Sequence, residues 1–113
     1  MLNTLYSLIG KVQGEHWEPI KQATVIILYR GEEFFRDKTD ENGYFVHSSY
    51  KLNCLYSDPG LPAHLKATVV GSKRAAIKIY RLIMRTLNKT EVKTIRIHIT
   101  VKKPQEKDEK PHG

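Results

Sequence analysis

Apolar residues along this chain recur mostly with a period of two, the spacing of strands rather than helices. Residues 4–13 put Leu5, Ser7, Ile9 and Lys11 on one face and Tyr6, Leu8, Gly10 and Val12 on the other. After a turn at Gly14 to Pro19, where Trp17 is expected to cap the end of the core, Val25-Ile26-Ile27-Leu28 is branched and apolar. Such a run suits a pleated, largely buried strand. Gly31-Glu32 marks a turn, and Phe34 to Thr39 fits the returning strand. Asp40-Glu41-Asn42-Gly43 then supplies residues that tolerate the positive φ a tight hairpin needs, before Tyr44-Phe45 re-enters the core.

Beyond Phe45 the pattern loosens. Tyr50, Leu52, Cys54 and Tyr56 alternate as in a strand. Ser57 to Pro62, with two prolines and a glycine, reads as a loop, and Leu65 to Val70 as a further strand. Glu91 to Lys103 alternates most clearly: Ile95, Ile97, Ile99 and Val101 point inward, while Arg96, His98 and Thr100 face water.

Residues 73–89 carry two patterns. Ser72 as N-cap and good formers throughout favour a helix, which would gather Arg74, Lys78, Arg81 and Arg85 onto one stripe. A strand would place Ile77 and Ile79 inward, but its alternation fails at Arg81 to Met84. Local propensity tips the balance to the helix. The expected fold is therefore an all-β, immunoglobulin-like or prealbumin-like sandwich of about seven strands, with one helix around residues 73–88. It spans residues 1–103, and the charged, proline-punctuated residues 104–113 form a flexible tail.

Composition narrows the function classes. At 113 residues the chain makes one domain with a sizeable core. Cys54 is alone, so there is no internal disulfide and no cysteine framework for a metal; it is expected to pack as a small hydrophobe. No apolar run approaches the roughly 20 residues of a spanning helix, and Met1 to Ile9 lacks the basic start of a signal peptide. The compartment stays open, and is extracytoplasmic if this is a domain of a longer exported protein. Charge is the informative property. The net +7 is uneven: residues 1–62 hold six Lys/Arg against eight Asp/Glu, and residues 63–103 hold eleven against one. That asymmetry predicts a polarised surface.

Several signature residues resemble a known family. Gly10 and Val12, Pro19-Ile20, Ala23, Val25 and Ile27, then Thr39-Asp40 with Gly43 and Phe45, are similar to the recurring string of carboxypeptidase regulatory-like domains, relatives of the transthyretin sandwiches. The resemblance covers residues 5–47. It implies a non-catalytic module for structure, adhesion or protein–protein interaction, whose partner is another protein or a neighbouring domain.

No catalytic constellation emerges. His16, His47, His64, His98 and His112 show no metal-ligand spacing, Ser57-Asp58 reads as a turn opener, and there is no phosphate loop. No cofactor or small-molecule substrate is indicated. Hydroxyisourate hydrolases, in the wider transthyretin group, end in Tyr-Arg-Gly-Ser; here Tyr29-Arg30-Gly31 sits mid-chain before Glu32, so that activity does not carry over. The rival reading uses the basic half: Lys66, Arg74, Lys78, Arg81, Arg85, Lys89, Lys93 and Arg96 as a surface for nucleic acid, acidic glycan or an anionic membrane.

Overall fold

The computed structural model describes residues 3–72, 74–81 and 85–102. Among these residues, eight strands are assembled into two sheets that close on one core. The larger sheet runs β4 (Tyr44–Ser48), β1 (Asn3–Gly14), β8 (Thr90–Lys102) and β6 (Arg74–Arg81), with β7 (Arg85–Leu87) also on β8; the smaller runs β3 (Glu32–Lys38), β2 (Thr24–Tyr29) and β5 (Leu65–Val69). The longest pairing is parallel, β1 on β8 from Asn3↔Thr90 to Gly14↔Val101. It sets Leu8 beside Ile95, Gly10 beside Ile97 and Val12 beside Ile99, so the two clearest period-two patterns bury their apolar sets side by side. Val25, Ile27, Phe35, Leu65 and Val69 face them from the smaller sheet.

The family-like residues all have structural work. Thr39 is buried; its hydroxyl donates to the Ile20 carbonyl at 2.7 Å and accepts the Ala23 N–H at 2.9 Å. Asp40 Oδ1 accepts the Asn42 and Tyr44 N–H groups at 2.8 and 2.9 Å, which holds the turn into β4. Gly43 follows at φ +80°, and an added Cβ would lie 2.6 Å from the Val12 carbonyl oxygen. Gly10 lies opposite Phe45 in the β1–β4 register, and a Cβ there would run into the Phe45 ring. Pro19 bridges to Gln13, and Val25 is fully buried in β2. These positions build the sandwich and leave the ligand unspecified.

Five expectations need correction. The turn at Asp40 to Gly43 closes no hairpin: β3 pairs with β2 and β4 with β1, so the turn carries the chain from one sheet to the other. The helix around residues 73–88 is absent from its described parts, which form β6 and β7, both antiparallel to β8. Without β6, that edge of β8 would expose unpaired amides, and Ala75, Ile77 and Ile79 add to the core as a strand. Tertiary pairing outweighs the tenths of a kcal/mol per residue that favoured a helix. The failing alternation at Arg81 to Met84 lies, beyond Arg81, outside the described residues.

The expected strand at 50–56 is instead a 3₁₀ turn (Tyr50–Leu52) running into α1 (Asn53–Tyr56). Leu52 and Leu55 are both fully buried, which helical i, i+3 spacing permits and strand alternation forbids. Within the expected loop, Leu61–His64 makes a further turn, α2, with Leu61 buried. Trp17 does not cap the core: it sits in a turn at φ 66° with 78% of its surface exposed. The tail at 104–113 lies outside the described residues.

Candidate functional site

Among the described residues, no helix or second sheet lies on the outer face of the larger sheet. Cross-strand register orders its side chains into rows. One row is Tyr44, Lys11, His98 and Lys78, from β4 through β1 and β8 to β6. The next is Val46, Ile9, Arg96 and Tyr80, and farther along the same face come Gln13, Thr100 and Ala76, then Lys102 beside Arg74. No Asp or Glu occupies an outward position of these strands among the described residues; Glu15 and Glu18, in the turn after β1, mark the limit of the face. This is where the uneven charge of the sequence becomes a surface.

The eight basic residues expected to form one patch do not all meet. Arg74, Lys78 and Arg96 stand together on this face, and Arg85 lies at its far end, opposite Val92. Lys66 belongs to β5 in the other sheet. Lys93 has the inward parity of Ile95, its ammonium 5.7 Å from the Tyr6 ring centre and 5.9 Å from that of Tyr56. Lys89 occupies the β7–β8 turn at φ 62°, and Arg81 ends β6 opposite Ile95. In exchange the fold adds Lys11 and Lys102, together with the aromatic rings of Tyr44 and Trp17. The alternation of residues 4–13 set Lys11 on the face opposite Leu8 and Val12. Only the β1–β8 pairing shows that it sits beside His98.

The rings and cations are interleaved. Lys11 Nζ lies 5.2 Å from the Tyr44 ring centre and Lys78 Nζ 5.3 Å from that of Tyr80, while Tyr80 meets the His98 ring edge-on at 5.4 Å. Ile9, Lys11, Tyr44, Arg96 and His98 line one shallow hollow; Trp17, Lys78, Tyr80 and His98 line a second.

His98 is the titratable centre. Partial burial, then the charges of Arg96, Lys11 and Lys78, hold its proton affinity below the ordinary imidazole value. The unfolded chain thus binds this proton more readily, and the His98 contribution to stability falls as pH drops below about 6.5. A bound anion would offset Lys11 from β1, Lys78 from β6 and Arg96 on its own strand, with Tyr80 and Tyr44 the other titratable groups near it. Binding then takes up a proton, so affinity for a polyanion is expected to rise about three- to tenfold from pH 8 to pH 5.5. A His98→Gln variant loses that dependence; an unaltered pH profile in the variant would show that another group is responsible.

A second polar cluster sits at the opposite sheet, beneath the helical turns. The Asp58 side chain is only 3% exposed. Its Oδ2 accepts the Tyr29 hydroxyl at 2.6 Å and an Arg30 N–H at 3.3 Å, and lies 2.8 Å from His64 Nδ1; its Oδ1 accepts the Gly60 N–H at 2.8 Å. The His–Asp contact has acid–base geometry, but the nearby nucleophile types are engaged elsewhere. Ser57 Oγ donates to the Asn53 and Cys54 carbonyls, and the half-buried Cys54 thiol to that of Lys51. The cluster ties residues 57–64 to the end of β2. Among the described residues no group of three His, Cys, Asp or Glu is placed to hold a metal, and no helix is long and apolar enough to cross a membrane.

No family model matches the chain, and neither curated proteins nor solved structures yield a match.

Proposed function

We propose that this protein is a non-catalytic β-sandwich binding module, of the kind the carboxypeptidase regulatory-like resemblance implies, whose open sheet face holds an anionic polymer. The observation that carries the reading is the gathering of Lys11, Lys78, Arg96 and Lys102 on one face whose strands present no outward carboxylate among the described residues. Cations without neighbouring acids raise the local potential and pair with phosphates or sulfates by releasing counterions. Neutralised charges elsewhere on the molecule do not have this property: Arg36 is paired with Glu33 at 2.6 Å, and Lys21 with Glu41 at 3.8 Å.

A salt titration tests the reading. Binding to a heparin fragment or an oligonucleotide is expected to weaken steeply between 50 and 200 mM salt, with a log–log slope of about −2 to −4 for three to five contacts at about −0.7 each. Absence of binding at low salt would remove the reading. The second reading, docking of a protein or neighbouring domain, draws on exposed Leu5 and Val46 on the same sheet. It predicts a complex insensitive to salt.

A further inference from the structure

Resting on the anionic-polymer reading, we infer that the polymer is single-stranded nucleic acid, with bases stacked on Tyr44, Tyr80 and Trp17 and phosphates held by Lys11, Lys78 and Arg96. Charge alone would serve any polyanion. The aromatic rings are what discriminate, because a base has a π-face that stacks on such a ring irrespective of sequence.

The geometry fits this division of labour. Tyr44 and Tyr80 are 40% and 38% exposed, and they lie at opposite corners of two adjacent rows. With strands about 4.8 Å apart and alternate residues about 6.8 Å apart, the corners are separated by about 16 Å, a span for a few nucleotides rather than one. Lys11, His98, Ile9 and Arg96 fill the ground between them, so a backbone crossing from corner to corner passes the cations Lys11 and Arg96. Trp17 adds a third, largely bare ring beside the hollow that Lys78, Tyr80 and His98 line.

The lysines add a specific argument. Each tyrosine ring already has an ammonium near it, Lys11 at Tyr44 and Lys78 at Tyr80. An exposed cation–π contact is weak, whereas stacking a base is stronger and a phosphate is a better partner for the ammonium. The arriving nucleotide thus exchanges one contact for two: the base takes the ring and its phosphate takes the lysine. A duplex offers no such exchange, since its bases are stacked internally. An open sheet with aromatic side chains facing outward is also a workable platform for splayed single strands.

The test compares a labelled 12-nucleotide oligo(dT) with an abasic 12-mer of the same backbone charge, and with a heparin dodecasaccharide, by fluorescence anisotropy at 100 mM salt. Expected are binding of oligo(dT) at least tenfold tighter than the abasic strand, and quenching of tyrosine and tryptophan emission. Tyr80→Leu and Tyr44→Leu each weaken oligo(dT) by about 5- to 100-fold. They leave the abasic strand within twofold, and Tyr80→Phe retains binding. Equal affinity for oligo(dT) and the abasic strand would overturn the stacking inference while leaving the anionic-polymer reading intact. So would heparin binding that exceeds oligo(dT) and ignores the tyrosine variants. No binding of any of the three overturns both.

Discussion

A triple variant, Lys11→Glu, Lys78→Glu and Arg96→Glu, is expected to bind polyanions at least about 100-fold more weakly at 100 mM salt while remaining folded. The three side chains occupy adjoining places in two rows, with His98 between Lys11 and Lys78. Each lost phosphate contact removes a counterion-release contribution of several-fold at this ionic strength, and reversal adds repulsion within a Debye length of about 10 Å. The same substitutions touch no core residue: Leu8, Ile95, Ile97 and Ile99 lie on the other side of the sheet. Surface changes of this kind usually alter stability by less than about 0.5 kcal/mol. The melting temperature should therefore stay within a few degrees. Retained polyanion binding in a folded triple variant would move the binding surface off this face.

The other large effect is structural. Asp58→Ala is expected to lower the melting temperature by roughly 15 °C, because a nearly enclosed carboxylate and the groups it gathers lose one another together. Tyr29, His64, Arg30 and the Gly60 amide all converge on this side chain, and they join residues 57–64 to the end of β2. With that tie gone, Leu55 and Leu61, both fully buried, lose the support that keeps them over the core. Arg30→Ala should do far less, since that side chain is 60% exposed and its charge is screened by solvent. Differential scanning calorimetry of the two variants separates the cases; equal effects would show that the buried bonds matter no more than the exposed one.

Acid should act on the same cluster. The Tyr29 hydroxyl first, then His64 and the Gly60 amide, hold the Asp58 carboxyl well below the usual carboxylate range, against the opposing effect of burial. A carboxylate of depressed proton affinity contributes stability that is full above its unfolded value near 3.9 and is lost as pH falls toward the folded one. The stability gap between the parent protein and Asp58→Ala should narrow as pH falls below about 4. The Tyr29 phenol, whose proton Asp58 favours, stays protonated across this window.

Several features were legible before any coordinates. Strong period-two alternation in β1 and β8 is a local signal, and the structure places it as read. The turn chemistry of Asp40 to Gly43 marked a turn correctly but not its partner strands, since it joins the two sheets instead of closing a hairpin. The segments that misled carried weak or competing signals. Around Tyr50–Tyr56 alternation and helical spacing coexist, and the choice went to whichever buried both Leu52 and Leu55. Around 74–81 helix propensity was real, but the free edge of β8 offered a full row of backbone partners.

The sequence by itself determined that the chain builds strands around one apolar core and that its cations concentrate in the later half. It also determined which residues point the same way within each strand, because side chains alternate locally. Only the tertiary structure decided which strands are neighbours. Pairing β1 with β8 in parallel brought Lys11 beside His98, and β4 and β6 then added Tyr44, Tyr80 and Lys78 at the flanks. The same packing sent Lys66 to the other sheet and Lys93 toward Tyr6 and Tyr56. The physical reason is that a binding face is made across strands, by long-range backbone pairing and burial, whereas sequence pattern reports only the facing of residues along each one.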